Sequence, residues 1–572
     1  MQVSNRDIAE KFIKLADLLE LEDENPFRIR AYRNAARIIR SYPKNFHEMV
    51  EAGEDLTEIH NIGDTLARKI REIVQTGKVS LLRRLEKEIP HDLEIMLKIP
   101  DLGPKRVRTL HEILHINTLH DLETALKKGE IEKIKGFGPK LIQAIMEGLK
   151  QKRYETHRHP LYDVLPIAQE LVEELRSIER VDRLEIAGSI RRRRDTVKDI
   201  DIVATCFSGS PLMERFVSHQ DVKRIVMEGH TRSSVILKNG LQVDLRVVPP
   251  YDFGAALHHF TGSRAHNITL RKMAVKKGIK INEYGIFRSD KRIGGEKESD
   301  IYEILKMQYI EPEMRENRGE IVLALRHSLP RLIERGDIRG DLHIHTTRSD
   351  GNATLKEMAE AARAMGYEYI AVTDHTKHLT IAHGQDEERV LQELEMIDRL
   401  NATLKDFTIL KSAEVDILAD GTLDLPQSVL EKLDLVVGAV HYKFNLSKKE
   451  QTRRILKAME NPCFNILAHP TGRLIGLREP YEVDMDTIIK AAKELGCILE
   501  LNAQPDRLDL DDIYCKAAKE AGVKIALSSD AHSINDLHYI SYGISQARRG
   551  WLEKEDVINT LPLTKLRKLL RR

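Results

Sequence analysis

Between residues 336 and 572, seven short apolar runs end on His343, His375, Glu414, His441, His469, Glu500 and Asp530. The gaps are 32, 39, 27, 28, 31 and 30 residues, the period of a strand followed by a helix. In a parallel barrel all strands end on one face, so side chains far apart in sequence converge there. The spacing therefore predicts a distorted (β/α)7 barrel over 337–572, with a polar cluster at its mouth.

On the first of these strands His343 and His345 alternate, so both are expected to face inward, and Asp530 and His532 repeat the arrangement on the last. Asp350 follows in the loop of DLHIHTTRSDG. Together with His375, Glu414, His441 and His469 these make nine candidate ligands, more than one ion can use, and imply two or three metals. A lone histidine would more often be structural; a cluster at successive strand ends is not explained that way. Mixed imidazole and carboxylate donors suit Zn2+, Mn2+ or Fe2+ better than Mg2+. Such ions polarise a phosphate and acidify a bridging water, which is hydrolytic chemistry.

A second carboxylate pattern lies upstream, in LEIAGSIRRRRDTVKDIDIVAT (184–205). Asp199 and Asp201 sit two apart in an alternating run, which puts both on one strand face. Like charges so close repel unless cations lie between them. The strand LQVDLRVVPP (241–250) offers Asp244 as a third carboxylate. Three carboxylates on two strands can cradle two Mg2+ or Mn2+ ions that align an attacking 3′ hydroxyl with a triphosphate. The preceding Gly188–Ser189 turn and the run Arg191–Arg194 could supply a backbone N–H, a hydroxyl and guanidinium groups to incoming phosphates.

The first 150 residues read as helical and repeat one turn: IHNIGDTLARKI at 59, IPDLGPKRVRTL at 99 and IKGFGPKLIQAI at 134. Gly63, Gly103 and Gly138 supply a small residue tolerant of the left-handed region, and the position two before holds Asn61, Asp101 or Gly136, the three residue types that enter that region most cheaply. A helix starting directly after such a turn presents free N–H groups and a positive dipole end to phosphate. These units resemble helix-hairpin-helix motifs, which grip DNA backbones without reading sequence. Arg28, Arg30, Arg33, Arg37 and Arg40 surround Tyr32, a pattern suited to phosphate neutralisation with base stacking at a gapped end.

Charge agrees with that division: residues 336–572 sum to about −6 and residues 1–335 to about +7. A polyanion is expected on the basic half. Cys206, Cys463, Cys497 and Cys515 form no CxxC pair, so they suggest neither a zinc knuckle nor a disulfide framework. No apolar run is long enough to span a bilayer and the N-terminus lacks signal-peptide features, so a soluble, cytoplasmic, nucleoid-associated protein is expected.

GSIRRRRDTVKDIDIV resembles the palm signature of the family X DNA polymerases, and ALHHFTGSRAHNITLRKMAVKKGIKINEYGIF (256–287) is similar to their nucleotide-binding and thumb segment. The resemblance implies gap-filling synthesis, with Asp199, Asp201 and Asp244 as metal ligands and Ser189 and Arg192 holding the triphosphate. It further implies that Phe260, Thr261 and Gly262 turn against the nucleotide sugar, that Asn267 reaches the base edge and that Arg271 reaches the template. His259 stands where a tyrosine is usual, which puts ribonucleotide exclusion in question. Lys69 stands where some members carry a Schiff-base lysine acting on a 5′ deoxyribose phosphate. The last third, with DLHIHTTRSDG, AVTDHT, AVH, AHP and SSDAH, resembles the polymerase and histidinol phosphatase (PHP) domain. The combination is similar to bacterial and archaeal PolX enzymes, in which that domain acts as a 3′–5′ exonuclease.

The expected organisation is an N-terminal helical DNA-binding domain (1–90), helix-hairpin-helix fingers (91–155), an α/β nucleotidyltransferase palm (156–250), a thumb (251–315), a linker (316–336) serving as a flexible joint, and the barrel (337–572). Expected partners are gapped or primer-template DNA and dNTPs, with no membrane. Cutting at abasic sites or removal of a 3′ phosphate would suit the same barrel chemistry. Two other readings remain open on sequence: a small-molecule phosphatase tethered to a DNA-binding half, and a DNA-binding scaffold without catalysis.

Overall fold

The computed structural model describes residues 5–77 apart from positions 23, 41 and 43, scattered positions within 79–145, and all of 158–571. The chain divides into two compact units, Met1–Arg158 and His159–Arg572. In the first, α1 (Asn5–Leu21) and α2 (Pro26–Arg40) pack together, followed by α3 (Phe46–Glu51), α4 (Asp64–Thr76) and α5 (Pro104–Leu114). Helix α1 buries Ile8, Phe12, Leu15 and Leu19, a spacing that marks one helical face. Two of the three repeated turns are described through their left-handed position: Asn61 has φ 68° and Gly136 φ 99°, while Asp101 lies outside the described residues. Gly63 itself is extended, with φ −91°, and caps α4. The left-handed bend is thus made two residues before the repeated glycine, at the position whose residue types favour it, and the left-handed tolerance of Gly63 is not used.

The second unit opens with α6 (Leu161–Arg176), packed on a five-stranded sheet. Its strands are β1 (Val181–Ile186), β2 (Asp199–Cys206), β3 (Val222–Met227), β4 (Arg232–Leu237) and β5 (Gln242–Val247), in spatial order β1-β2-β5-β4-β3. Only the central pair β2–β5 is parallel, and it sets Asp201 directly beside Asp244. Between β1 and β2 lies the short helix α7 (Gly188–Arg191). Helices α8 (Phe253–Thr261) and α9 (Arg264–Lys276) follow, then an antiparallel sheet of β6 (Ile279–Asn282), β7 (Gly285–Arg288) and β8 (Lys291–Gly294).

Seven parallel strands form the barrel in chain order: β9 (Gly340–Ile344), β10 (Tyr369–Val372), β11 (Thr408–Asp416), β12 (Leu435–Ala439), β13 (Ile466–Leu467), β14 (Ile498–Asn502) and β15 (Ile525–Ser528). A parallel bridge between Ile344 and Ala531 brings the last strand back to the first, with the His345 N–H donating to the Ala531 carbonyl at 2.8 Å. Leu342, Tyr369, Ala371, Leu410, Val437, Ile466 and Ala526 pack as one cluster drawn from the strands, to which Leu566 and Leu570 are added from the C-terminal helix Leu563–Leu570. The register slips between Asp341 and Ile344, a bulge in β9. It breaks strict alternation, so Leu342 joins the interior cluster while His343 and His345 still reach the mouth.

The expected flexible joint is instead folded into this unit. Arg315 and Glu320 are fully buried, and Glu320 accepts from His266 of α9 at 2.7 Å. Trp551, after the barrel, packs in the same apolar cluster as Leu270, Tyr302 and Leu332. Severing the seam would expose that shared apolar surface to water, and the seam is therefore held closed.

Candidate active sites

Asp199 and Asp201 lie on β2 and Asp244 on β5, as the alternation predicts. Gly188 is required by the approach of Asp201: its φ is +62°, and a Cβ there would stand 2.3 Å from Asp201 Oδ2. Asp244 is held from behind by the Ser234 hydroxyl and by Gln242 Nε2, the latter at 2.8 Å. Neither supporting residue was singled out in the sequence, although both sit on strands that flank a named carboxylate. Burial, and then Asp199 and Asp244, push the Asp201 carboxyl up to about 7. A carboxylate that resists ionisation beside two others is the signature of a site that needs a cation.

Next to the carboxylates, Arg191 makes a two-pronged pair with Glu298 at 2.7 Å and donates to Thr261 Oγ1 at 2.8 Å. Arg192 donates through Nε to Glu316 Oε1 at 3.1 Å and through Nη1 to the Thr261 carbonyl. These two arginines tie α7 to the Phe260–Thr261–Gly262 segment, where Gly262 caps α8 with φ 71°. Ser189 lies in α7 itself. Phe260 stacks under the Arg246 guanidinium at 4.1 Å. Asn267 donates to the His259 carbonyl at 2.8 Å, and its own buried Oδ1 has no partner. Arg271 donates to His259 Nδ1 at 2.6 Å. Burial, with Arg271 adding to it, keeps the His259 imidazole below its usual range.

At the barrel mouth the nine nominated residues converge. Among the described residues three groups have ligand atoms within 4.8 Å of one another: His345, Asp350, His375 and His532; His343, His345 and Asp530; and His375, Glu414 and His441. The ninth, His469, reaches Glu414 Oε1 at 3.0 Å. His345 and His375 each belong to two groups, so the groups form one continuous centre.

Behind the candidate ligands stands a layer of supporting groups. Glu500 Oε1 meets His343 Nδ1 at 2.7 Å, and its other oxygen accepts from the His469 backbone N–H at 2.8 Å. Asp416 Oδ1 meets His441 Nδ1 at 3.0 Å. Asn502 Nδ2 donates to both Glu500 and Asp530, at 3.1 and 3.0 Å. Such contacts fix ring orientation and tautomer, leaving the opposite nitrogen for a metal. Of these, Glu500 was visible as a strand end; Asp416 and Asn502 carried no signal beyond their proximity to one.

The electrostatics fit a cation cluster. Burial alone would raise Glu414 and Asp530, yet neighbouring imidazoles hold both well below the usual carboxylate range. Burial lowers His375 and His532, but the first is carried to about 10 chiefly by Glu414 and the second to about 9 chiefly by Asp350. His345 is pushed down to about 4 by burial, His532 and His375. His343 Nε2, His345 Nδ1 and His375 Nδ1 are buried and make no well-aligned hydrogen bond, although carboxylate oxygens of Glu414, Asp350 and Glu414 lie 3.4, 3.7 and 2.9 Å away. Ring nitrogens this close to carboxylate oxygens yet misaligned for a hydrogen bond match donors aimed at shared ions rather than at each other.

The N-terminal candidates divide. Tyr32 is 1% exposed, with its ring edge-on to Phe12 at 5.5 Å, so it belongs to the core and is not available to stack on a base. The apolar face of α2 and its arginine face interleave, which is why sequence alone put Tyr32 on the wrong side. Arg28 is exposed and paired with Glu24. A Cβ at Gly63, Gly103 or Gly138 would meet nothing within 4 Å. Lys69, on α4, has its amine lowered by burial first, with Arg28 and Arg68 adding to it and Glu72 opposing at 3.8 Å.

Family models match as "Helix-hairpin-helix domain" over residues 3–79, "SAM-like Helix-hairpin-helix tandem" over 93–151, "DNA polymerase beta thumb" over 256–316 and "PHP domain" over 341–504. A probable phosphatase of Thermoanaerobacter sp. (strain X514) is 31% identical over 233 residues, 38% of this chain and 89% of that protein. A probable phosphatase of Caldanaerobacter subterraneus is 29% identical over 232 residues, 38% of this chain and 86% of that protein. The DNA polymerase/3′-5′ exonuclease PolX of Bacillus subtilis (strain 168) is 37% identical over 573 residues, covering 99% of both chains. With helix-hairpin-helix, polymerase thumb and PHP segments in one chain, and that identity running end to end, the chain belongs to the PolX family of DNA polymerase/3′-5′ exonucleases.

Proposed function

We propose that this chain fills short gaps in DNA from its palm site and shortens 3′ ends at its barrel mouth. The observation that carries the second activity is the set of three overlapping ligand groups, joined through His345 and His375. Mn2+, Zn2+ or Fe2+ in the barrel, up to three ions, and Mg2+ or Mn2+ in the palm would supply Lewis acidity and an acidified water or hydroxyl. The chain's own residues do the positioning. Glu500 and Asp416 fix the rings of His343 and His441, and Asn502 ties Asp530 to Glu500. In the palm, Gly188 admits the Asp201 carboxylate to the start of α7; Ser189 in that helix and Arg192 at its end would take the triphosphate. Phe260, Thr261 and Gly262 would face the nucleotide sugar, with Asn267 toward the base and Arg271 toward the template.

DNA would be held by the first unit. Gly63, Gly103 and Gly138 have open space where a side chain would begin, and a passing phosphate backbone can use that space. Among the described residues no helix is long and apolar enough to cross a membrane. Covalent attachment to DNA-gripping turns makes a DNA end a better barrel substrate than a free metabolite. A direct test supplies Mn2+ with either a 3′-labelled single strand or a small phosphate monoester. Release of nucleoside monophosphates from the strand supports the reading; hydrolysis of the monoester with an intact strand replaces it with a tethered phosphatase.

A further inference from the structure

The barrel meets the polymerase half at several points, among them Arg473 with Asp195 at 3.2 Å and the helix α10 (Ile540–Arg549), whose Tyr542 packs against the palm core. Its last residue, Arg549, is 2% exposed and makes three contacts. Nη1 donates to the Arg192 carbonyl at 2.7 Å and to Glu316 Oε1 at 3.1 Å, and Nη2 donates to Asp512 Oδ2 at 2.6 Å. Glu316 Oε1 also accepts from Arg192 Nε at 3.1 Å, with Arg194 at 3.9 Å, and Asp512 also accepts from Arg318 at 2.9 Å. In this network Glu316 and Asp512 face Arg192, Arg194, Arg318 and Arg549, so the cations outnumber the carboxylates. Burial would raise Glu316, but Arg549 and then Arg192 hold it down to about 2.

Arg192 therefore shares its carboxylate with a residue of the barrel. Its guanidinium also borders the nucleotide-side turn, since a Cβ on Gly262 would lie 3.1 Å from Arg192 Nη1, and it bears electrostatically on Asp201. We infer that Arg549 is a positioning residue of the nucleotide pocket: by drawing on the charge of Glu316 and pinning the Arg192 carbonyl, it weakens the hold of Glu316 on the Arg192 guanidinium, so that a triphosphate can compete for that group. The inference rests on the proposed role of Arg192. Without Arg549, the whole charge of a buried carboxylate falls on Arg192 and Arg194 and competes with the incoming phosphates. The carboxylates of the palm and the ligands of the barrel are untouched by that change.

The test is steady-state nucleotide incorporation on gapped DNA by the full chain. Arg549→Gln should raise KM for dNTP about tenfold, with kcat and 3′-end shortening within about twofold of wild type. Adding Glu316→Gln removes the competing carboxylate, so the double variant should return KM to within about twofold of wild type. Arg549→Lys, which keeps the charge, should stay near wild type; Trp551 fluorescence, the chain's one tryptophan, verifies that each variant is folded at the assay temperature. An unchanged KM in Arg549→Gln, or a raised KM that Glu316→Gln does not restore, overturns the inference. Arg192→Ala separates the two layers. If it leaves KM at the wild-type value, the nucleotide role of Arg192 is wrong; if it raises KM while Arg549→Gln does not, only the positioning role fails.

Discussion

Gly188→Ala isolates the geometry of the palm from its charge. The added Cβ would stand 2.3 Å from Asp201 Oδ2, and the residue's φ of +62° is one that alanine adopts only with strain. The backbone cost is about 1–2 kcal/mol. Relieving the overlap to ordinary contact moves the carboxylate, or the start of α7, by about 1 Å. A misplacement of that size in a site that works by alignment costs about 100-fold in rate. Single-nucleotide extension of a gapped primer should therefore drop by about two orders of magnitude, while 3′-end shortening and the folded fraction at assay temperature stay near wild type. Extension within about threefold of wild type would refute the claim that Asp201 must sit against Gly188.

Three further outcomes follow from the same geometry. Asp201 is an acid whose folded pKa is raised to about 7, so its ionisation costs stability; the penalty is absent below about pH 4 and complete above about pH 7. Metal-free Asp201→Asn should thus melt higher than wild type at about pH 8 and not at about pH 4, and an equal shift at both would contradict the crowding of the triad. Filling the barrel should displace protons from His375 and His532, which stand at about 10 and about 9 without metal. Calorimetric Mn2+ titrations in buffers of different ionisation enthalpy should show proton release and an affinity that falls as pH falls; buffer-independent heats would rule this out. Tyr32→Ala should destabilise the first unit by about 3–5 kcal/mol, and Gly103→Ala should leave its stability within about 1 kcal/mol while weakening DNA binding, as melting and binding titrations would report.

The barrel was legible because its ligands end strands at a βα period, and a strand end is both a position in the sequence and a place in space. The palm triad was legible for the related reason that alternation assigns Asp199 and Asp201 to one face. The supporting groups were not, because Asp416, Asn502, Ser234 and Gln242 act through contacts that only the folded chain creates. Neither could composition separate a solvated charge run from a buried one: Arg191–Arg194 read as one phosphate-facing run, yet Arg191 is committed to Glu298 while Arg192, bonded to Glu316, also borders the Gly262 turn. The glycine repeats were found by pattern, and the left-handed bend falls at Asn61 and Gly136, whose residue types enter that region cheaply, leaving Gly63 extended. The segment after 313 looked like a hydrophilic joint because its charges are paired across a seam that the sequence does not display.

The central claim is that one chain holds two separate DNA active sites, and primer length on a one-nucleotide-gapped duplex tests it most directly. With Mn2+, wild type, Asp201→Ala and His343→Ala are compared with and without dNTPs. The account predicts that Asp201→Ala shortens the primer but does not extend it, and that His343→Ala extends it but does not shorten it. Loss of both activities in either well-folded variant, or shortening that survives His343→Ala, would contradict the assignment of synthesis to the palm and degradation to the barrel.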